Sequence, residues 1–255
     1  MAITLKNAKD IEGLRAANKI VAAALDYAEE FLKPGMTLLE VDKKIDEFIT
    51  SKGAYPAFKG LYGFPNAACL SLNEVIIHGI PDNTILKEGD ILGVDVGSRL
   101  NGYYGDSART FPIGKISKED EELIACSKDA LYHAIDFIKV GMHFKEVCFE
   151  LEKFIKSRGF VPLIGFCGHG IGKRPHEEPE IPNYLEGNNP KAGPKIKNGM
   201  VFCIEPMICQ KDGMAVIAKD KWTTTAKDGL RTSHYEHCLA VVNNKVEILS
   251  KSLKD

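Results

Sequence analysis

ILGVDVGSRLNGYYGDSART, residues 91–110, is the stretch around which the rest of the chain can be ordered. Its first part, Ile91–Val96, is a short β-branched and apolar run, which is typical of a buried strand. Asn101-Gly102 is a dipeptide that favours a tight hairpin turn. The sequence therefore predicts a β-hairpin in which Tyr103–Phe111 forms the returning strand.

Two aspartates lie in this hairpin, Asp95 on the first strand and Asp106 on the second. A turn centred on Leu100-Asn101 makes them directly opposed, with Cβ atoms about 4.5–5.5 Å apart, and a slightly shifted turn makes them diagonal neighbours. Two like charges this close among apolar residues are costly unless a cation lies between them. The stretch alone also fits a solvated hairpin with two surface aspartates, so the choice depends on the rest of the chain.

The composition is that of a globular chain with no polyanionic partner. The 255 residues are 44% hydrophobic and 27% charged, which is enough for one sizeable core, and the formal net charge is −2. Seven cysteines form no CxxC pair, which indicates free thiols in a reducing compartment. The first residues contain no apolar signal segment, and no run approaches the roughly 18 apolar residues of a membrane span. We therefore expect a cytoplasmic protein that binds neither nucleic acid nor membrane.

A helix–turn–helix block occurs twice in the chain. Residues 7–32 are expected to form a helix with Asn7 as its N-cap, and Thr37–Glu40 is expected to be the capping box of a second helix. The segment that begins at Ala24 aligns without a gap to the segment that begins at Ala130, at an offset of 106. The identical positions include the glycines that set the turns, so helical periodicity alone does not explain the match.

A second repeated segment lies in the predicted strands. LKEGDILGVDVG aligns with IKNGMVFCIEPM at an offset of 110, and Asp95 falls on Glu205. We predict an α+β fold made of a pseudo-twofold pair of halves, roughly residues 1–112 and 113–255, in one domain. Their strands are expected to merge into one curved antiparallel sheet with the helices on its convex face. The concave face would then carry both acids near the symmetry axis.

Two further potential ligands lie in the second half. His169 stands between glycines, which allow close backbone approach, although a lone histidine in such a loop is more often structural. Glu236 begins an apolar run in YEHCLAV and lies near a tyrosine, much as Asp106 does in YGDSART. With Asp95 and Glu205 the set becomes two aspartates, one histidine and two glutamates, which suits a pair of first-row divalent ions.

Two other histidines lie in distinctive surroundings. His78 follows the apolar run of NEVIIHGIP, and His176 lies in KRPHEEP, seven residues after His169. His78 and His176, each taken alone, would be interpreted as structural. Beside a metal pair they become candidate hydrogen-bond donors to a substrate carbonyl or to a tetrahedral oxyanion.

Taken together, these motifs resemble the type I methionine aminopeptidases over essentially the whole chain. The motifs, in order, are NEVIIHGIP, GDILGVDVG, NGYYGDSART, GHGIG, HEEP, GMVFCIEPM and TSHYEH. The resemblance implies the pita-bread fold of that metallopeptidase family and a single catalytic domain. It implies that Asp106 and Glu236 bridge two ions, that Asp95 completes one site, and that His169 and Glu205 complete the other.

The activity implied by the resemblance is removal of the initiator methionine from nascent proteins whose second residue is small. A water shared by two ions (Co, Mn, Fe or Zn) would attack the peptide bond, Glu205 would move its proton, and His78 and His176 would contact the substrate. The partners would be the N-termini of nascent polypeptides, with the ribosome as a further partner that no residue here supports, and the enzyme would be a monomer. The methionine pocket would be lined by Phe58, Phe64, Cys69 and Trp222.

Two departures from the family pattern concern substrate preference. Arg174-Pro175 precedes His176 where the family usually has Gly-Phe, so an aromatic wall of the pocket is missing or comes from elsewhere. The loop Asn183–Pro194 is a few residues longer than usual. The segment between His169 and Glu205 is too short to contain the helical insertion that marks type II members.

Two other functions fit parts of the pattern. Prolidases and X-Pro aminopeptidases share the five-ligand pattern but usually carry a large additional N-terminal domain, whereas the repeat begins almost at once here. A non-catalytic binding protein on the same fold would be expected to have lost metal ligands, and all five are present without a basic stripe for RNA. If Cys69 lines the pocket mouth, thiol reagents are expected to inhibit through it.

Overall fold

The computed structural model describes residues 2–252 and 254, and its elements follow the order of two helices and then strands, twice over. The helices are α1 (Ala8–Phe31), α2 (Leu38–Ser51), α3 (Lys118–Phe137) and α4 (Phe144–Ser157). The strands before α3 are β1 (Tyr55–Pro56), β2 (Ala68–Leu72), β3 (Val75–Ile77), β4 (Asp90–Leu100) and β5 (Tyr103–Ile113). The strands after α4 are β6 (Val161–Pro162), β7 (Cys167–Gly170), β8 (Glu177–Pro182), β9 (Val201–Ile204), β10 (Met207–Cys209), β11 (Ala215–Ile217), β12 (Thr224–Ala226), β13 (Thr232–His234), β14 (Glu236–Val242) and β15 (Lys245–Ile248).

Both helix starts expected in the first half are present. The Asp10 amide donates to the Asn7 side chain at 3.0 Å, and the Asn7 amide donates to the Asp10 side chain at 3.2 Å. Thr37 and Glu40 form the same reciprocal pair at the start of α2. Because these side chains satisfy amides that have no partner in the first helical turn, the positions of the two starts are encoded locally.

A curved antiparallel sheet of nine strands joins the two halves. Its order is β1-β4-β5-β14-β9-β7-β8, with β2 also paired to β4 and β15 to β14. Helices α1 and α2 pack on the first half of the sheet through a cluster that includes Val94 and Phe111. Helices α3 and α4 pack on the second half through a cluster that includes Phe202 and Leu239. The predicted α+β pita-bread fold is confirmed.

The hairpin of β4 and β5 brings the two aspartates close together. Asn101-Gly102 forms its turn with positive φ at both residues, 51° and 84°, as a two-residue hairpin loop requires. In this register Asp95 lies opposite Ala108, and Asp106 lies opposite Gly97. The two acids are therefore diagonal neighbours, which is the second of the two arrangements that the sequence left open.

The alternation of side chains along β4 separates the core from the inner face of the sheet. Val94 and Val96 pack in the cluster beneath α1 and α2, so Asp95 between them points to the opposite face. Ile204 at the end of β9 packs in the cluster beneath α3 and α4, and Glu205 follows it directly. Each half thus delivers one acid to the inner face from a strand that is anchored by its own helices.

The sequence repeat is reproduced as equivalent backbone hydrogen bonds. The Gly35 amide donates to the Leu86 carbonyl at 2.8 Å, and the Gly141 amide donates to the Ile196 carbonyl at 2.9 Å. Both glycines have strongly positive φ, 92° and 94°, a region that other residues rarely adopt. The second half therefore repeats the turn geometry of the first half and not only its helical periodicity.

The two halves meet where β5 pairs with β14. The Ser107 hydroxyl donates to the Glu236 carbonyl at 2.7 Å. The Thr110 hydroxyl donates to the His234 carbonyl at 3.0 Å and accepts from the His234 amide at 2.9 Å. Because side chains of one half satisfy backbone groups of the other, this seam fixes Glu236 beside the hairpin that carries the two aspartates.

Within residues 2–252, none of the helices combines the length and the apolar character needed to cross a lipid bilayer.

Candidate metal centre and substrate cavity

A cavity of about 470 Å³ opens on the inner face of the sheet. Among the described residues that line it there is no lysine or arginine. Every site residue expected from the sequence contributes to its wall, and none lies elsewhere. These residues are Phe58, Phe64, Cys69, His78, Asp95, Asp106, His169, His176, Glu205, Trp222 and Glu236.

The five expected metal ligands form a continuous cluster of donor atoms. Donor atoms of Asp95, Asp106 and Glu236 lie within 4.8 Å of one another, and Glu236 lies in a second such group with His169. His169 Nε2 is 3.9 Å from Asp106 Oδ2 and 3.7 Å from Glu205 Oε1. Asp106 and Glu236 therefore occupy the middle of the cluster, between Asp95 at one end and His169 with Glu205 at the other.

The carboxylates are buried with too few hydrogen-bond partners. Asp106 and Glu236 are 4% and 3% exposed, and one oxygen of each, together with one of Asp95, is buried without a partner. Burial raises the pKa of Asp95 to about 7 and the pKa of Glu205 to about 8. Burial and repulsion between the acids raise the pKa of Asp106 and of Glu236 well above the usual range. Such a cluster is costly unless cations or protons neutralise it.

His169 is held in place by the backbone on both sides of its strand. The expected loop is instead strand β7, which pairs with β8 and β9. A Cβ atom at Gly168 would lie 2.4 Å from the Cys203 carbonyl oxygen, and one at Gly170 would lie 2.1 Å from the Glu178 carbonyl oxygen, so both flanks require glycine. His169 Nδ1 is 3.0 Å from the Gly170 carbonyl oxygen, which suits an Nδ1–H tautomer with the Nε2 lone pair facing the acids. Burial lowers the pKa of His169 to about 3, so this imidazole is neutral near pH 7.

The donor set fits a pair of divalent cations. Carboxylate oxygens with one imidazole are typical ligands of first-row divalent ions, and four carboxylates carry enough negative charge for two of them. The carboxylate oxygens without partners and the imidazole lone pair are the groups that an ion would satisfy. The chemistry of the cluster therefore agrees with a metal centre at this position.

His176 lies beside the donor cluster, and His78 lines the same cavity. The His176 ring packs edge-on against His169 with centroids 4.5 Å apart, and the Tyr62 ring stacks against His176 with centroids 6.1 Å apart. His78 follows β3 with a φ of 56°, and its ring packs edge-on against Trp222 at 6.2 Å. Burial lowers the pKa of His78 to about 4, so its imidazole is also neutral near pH 7.

The four expected pocket residues form one apolar cluster. Phe58, Phe64 and Cys69 are buried, and Trp222 packs edge-on against Phe64 with centroids 5.2 Å apart. Cys69 is the cross-strand partner of Asp95, so the apolar wall begins directly beside a candidate metal ligand. Burial raises the pKa of the Cys69 thiol well above its usual value, and thiol reagents should therefore react with it slowly.

Two residues near the cluster were not among the expected ones. His234 Nε2 is 3.5 Å from Glu205 Oε2 and is buried without a hydrogen-bond partner. Cys203 lies close to His169 and Glu236. Each precedes an acid of the cluster by two positions, His234 before Glu236 and Cys203 before Glu205. Since side chains two apart in an extended chain share a face, this spacing was the signal that could have found them.

The two departures in sequence have structural counterparts. The aromatic ring beside His176 comes not from Arg174-Pro175 but from Tyr62, which is 73% exposed at the edge of the cavity. In the longer loop, Asn183 is buried, and its side chain donates to the Glu205 carbonyl at 2.9 Å. The loop is therefore tied to the backbone of Glu205, one of the five candidate metal ligands.

Two repeated halves with four acids and a histidine on the inner face of one sheet define a metallopeptidase of the pita-bread class. Residues 12–243 match metallopeptidase family M24. A methionine aminopeptidase from Helicobacter pylori is 61% identical over 252 residues, which cover 98% of this chain and 100% of that relative. The chain therefore belongs to the methionine aminopeptidases of metallopeptidase family M24.

Solved structures agree with this assignment. The crystal structure of a methionine aminopeptidase from Thermotoga maritima has a TM-score of 0.95 and 36% identity, covering 98% of this chain and 100% of that chain. A prolidase from Pyrococcus furiosus has a TM-score of 0.79 and 25% identity, covering 97% of this chain and 65% of that chain. The prolidases thus share the fold, but their similarity is lower and their chains are longer.

Proposed function

We propose that the chain removes the N-terminal methionine from newly made proteins whose second residue is small. The observation that supports this proposal is a single cavity in which an apolar wall adjoins a cluster of metal donors. The amine end of a peptide can approach the acids while its first side chain enters the apolar pocket.

The five donors are proposed to hold two divalent ions. Asp106 and Glu236, which lie between the two ends of the cluster, would help to hold both ions, whereas Asp95 would hold one and His169 with Glu205 the other. When bound, the ions supply a water of lowered pKa and polarise the scissile carbonyl. Co, Mn, Fe and Zn all suit such a ligand set, and availability in the cell selects among them.

Proton transfer is assigned to Glu205. Its carboxylate lines the cavity beside His169, where it can accept a proton from the attacking water and return it to the leaving amine. His176 is assigned as a hydrogen-bond donor to the oxyanion, and His78 as a contact of the scissile amide, because both rings line the cavity beside the donors.

The methionine side chain is assigned to the pocket of Phe58, Phe64, Cys69 and Trp222. An apolar pocket distinguishes one methylene by only about 1–3 kcal/mol. Peptides that begin with leucine or norleucine should therefore still be cleaved, but more slowly than methionine peptides.

The setting of the enzyme follows from this function. We place it in the cytoplasm, where nascent chains emerge and where its seven cysteines, all free thiols, stay reduced. Its partners are the N-termini of nascent polypeptides. The only argument for contact with the ribosome is that nascent chains emerge there, and no residue of the chain adds to it. Residues 1–255 are proposed to act as one catalytic domain and as a monomer, with halves near 1–112 and 113–255.

The test is peptide cleavage by the metal-loaded protein. Met-Ala-Ser should release free methionine, whereas Ala-Pro, a prolidase-type substrate, should remain intact. Asp106→Asn should lower cleavage by at least about 100-fold, and Glu122→Gln, at an exposed position on α3, should not. Preferential cleavage of Ala-Pro would favour the prolidase function, and cleavage of neither peptide would favour a binding protein.

A further inference from the structure

A buried ion pair joins the first residues of the chain to the loop that carries His176. Lys6 Nζ lies 2.5 Å from Glu177 Oε2, and the two side chains are 6% and 8% exposed. Glu177 directly follows His176 and lines the cavity, whereas Lys6 does not. In a buried pair each charge depends on its partner, because removal of one member leaves the other without compensation.

The second oxygen of Glu177 shapes the loop before His176. Glu177 Oε1 accepts from the Arg174 amide at 3.3 Å, and the Arg174 carbonyl accepts from the Gly172 amide at 3.1 Å. A Cβ atom at Gly172 would lie 2.5 Å from Glu177 Oε1 and 2.7 Å from Lys6 Cε. Glycine at the end of the GHGIG motif therefore leaves the space in which the ion pair forms.

The backbone of Lys6 is hydrogen-bonded to the second half of the molecule. Its amide donates to the Gly199 carbonyl at 2.6 Å, and the Gly199 amide donates to the Val241 carbonyl at 2.8 Å. Gly199 lies just before β9, the strand that leads to Glu205. Lys6 thus connects the strand of a proposed metal ligand with the loop of His176.

We propose that Lys6 is a positioning residue for His176 and acts through Glu177. The ammonium group draws the Glu177 carboxylate away from the other acids of the cavity, and the loop then holds the His176 ring against His169, with centroids 4.5 Å apart. Without that ammonium group the carboxylate turns toward solvent and moves His176 with it. This proposal rests on the proposed function, since it assigns a residue outside the cavity to the same reaction.

The experiment compares Lys6→Met with Lys6→Arg, and uses Lys9→Met, at an exposed lysine, as the matched control. Lys6→Met should lower kcat on Met-Ala-Ser by about 10- to 100-fold, because a small displacement of a catalytic group is costly. KM and the affinity for Mn²⁺ should change by less than about twofold, since the pocket and the donor cluster are untouched. Lys6→Arg should restore most of kcat, and Lys9→Met should match the unmodified protein.

Glu177→Gln tests the proposal should Lys6→Met fail to fold, because it removes the charge that faces Lys6 while the amide retains an oxygen for the Arg174 amide. It should lower kcat on Met-Ala-Ser and leave KM unchanged, and an unchanged kcat would contradict the proposal. The double variant Lys6→Met/Glu177→Gln should lose less kcat than Lys6→Met alone, since no unpaired charge remains. A double variant as impaired as the single one would contradict action through the charge of Glu177.

The position of the His176 ring provides a readout that a purely structural role would not change. In metal-free protein with labelled histidine, the His176 resonance (assigned by its loss in His176→Asn) should shift in Lys6→Met, while that of His133 on α3 should not. If the melting temperature falls but kcat and the resonance stay unchanged, Lys6 serves only stability and the proposal is wrong. If the unmodified protein does not cleave Met-Ala-Ser, the proposed function fails, and the resonance still decides whether Lys6 positions His176.

Discussion

Asp95, Asp106 and Glu236 each bury an oxygen that finds no hydrogen-bond donor, and the described walls of their cavity contain no lysine or arginine. Burial therefore favours the protonated carboxyls, and it raises the pKa of Asp95 to about 7 and that of Glu205 to about 8. Metal ions compete with these protons for the same oxygens. The binding of metal should for this reason depend on pH in a range where ordinary carboxylates do not titrate.

Metal affinity should rise from pH 6 to pH 8. Raising the pH through the pKa of Asp95 and then of Glu205 removes the protons that block their oxygens, and each proton released contributes up to about tenfold in affinity per pH unit. Titration of metal-free protein with Mn²⁺ at several pH values measures the slope. A metal affinity that does not change from pH 6 to pH 8 would show that metal binding does not displace protons from these carboxyls.

Variants of His78 and His176 should separate catalysis from metal binding. His78→Ala and His176→Ala should each lower kcat by about 100- to 1,000-fold, because each removes a group assigned to the developing oxyanion or to the amide. Metal stoichiometry should stay unchanged, because neither ring is assigned as a ligand. His133→Ala, on α3 outside the cavity, is the matched control. Loss of bound metal in His78→Ala or His176→Ala would make that histidine a ligand and the assigned role wrong.

Single site residues could be predicted where a local pattern marks them. Asp95 stands out because it is an acid on an apolar strand, and alternation along the strand then gives its face. His234 shares its face with Glu236, but a spacing of two residues does not by itself mark a histidine as part of a site. The pair of Lys6 and Glu177 could not be predicted, because its members are 171 residues apart and no local pattern joins them.

Among the elements, strand β7 shows how the packing of neighbours decides what a motif becomes. Glycines on both sides of His169 are typical of a loop when the sequence is considered alone. In the fold the same glycines admit the backbones of β8 and β9, so the segment becomes an inner strand that presents the histidine. The hairpin of β4 and β5 was easier to predict, because Asn101-Gly102 determines its turn locally.

The seam where β5 of the first half meets β13 and β14 of the second should be sensitive to the loss of one hydroxyl. Thr110→Val keeps the shape of the side chain but leaves the His234 amide and carbonyl without this partner, so it should lower the free energy of unfolding by about 2–4 kcal/mol. Denaturant titration measures the loss. Thr50→Val, at an exposed position on α2, should stay within about 0.5 kcal/mol of the unmodified protein. Equal stability of the two variants would contradict the importance of this seam.

For the whole molecule, the repeat made the architecture predictable. Segments that align at offsets of 106 and 110 imply two similar halves, and acids at matching positions imply a site between them. The strand order was not predictable in the same way, because β14 pairs with β5 of the other half and with β9 and β15 of its own. Such long-range pairing depends on the packing of both helix pairs against one sheet, and no short stretch of sequence contains it.

The most direct test of the proposed metal centre is the number of ions that the metal-free chain takes up under anaerobic conditions. We expect two Mn²⁺ or Co²⁺ ions per chain by calorimetric titration, since two carboxylates lie between the ends of the donor cluster. Asp106→Asn should reduce uptake to at most one ion with weakened affinity, while Glu122→Gln should retain two. Uptake of fewer than two ions by the unmodified chain, or of two with unchanged affinity by Asp106→Asn, would contradict a centre bridged by Asp106 and Glu236.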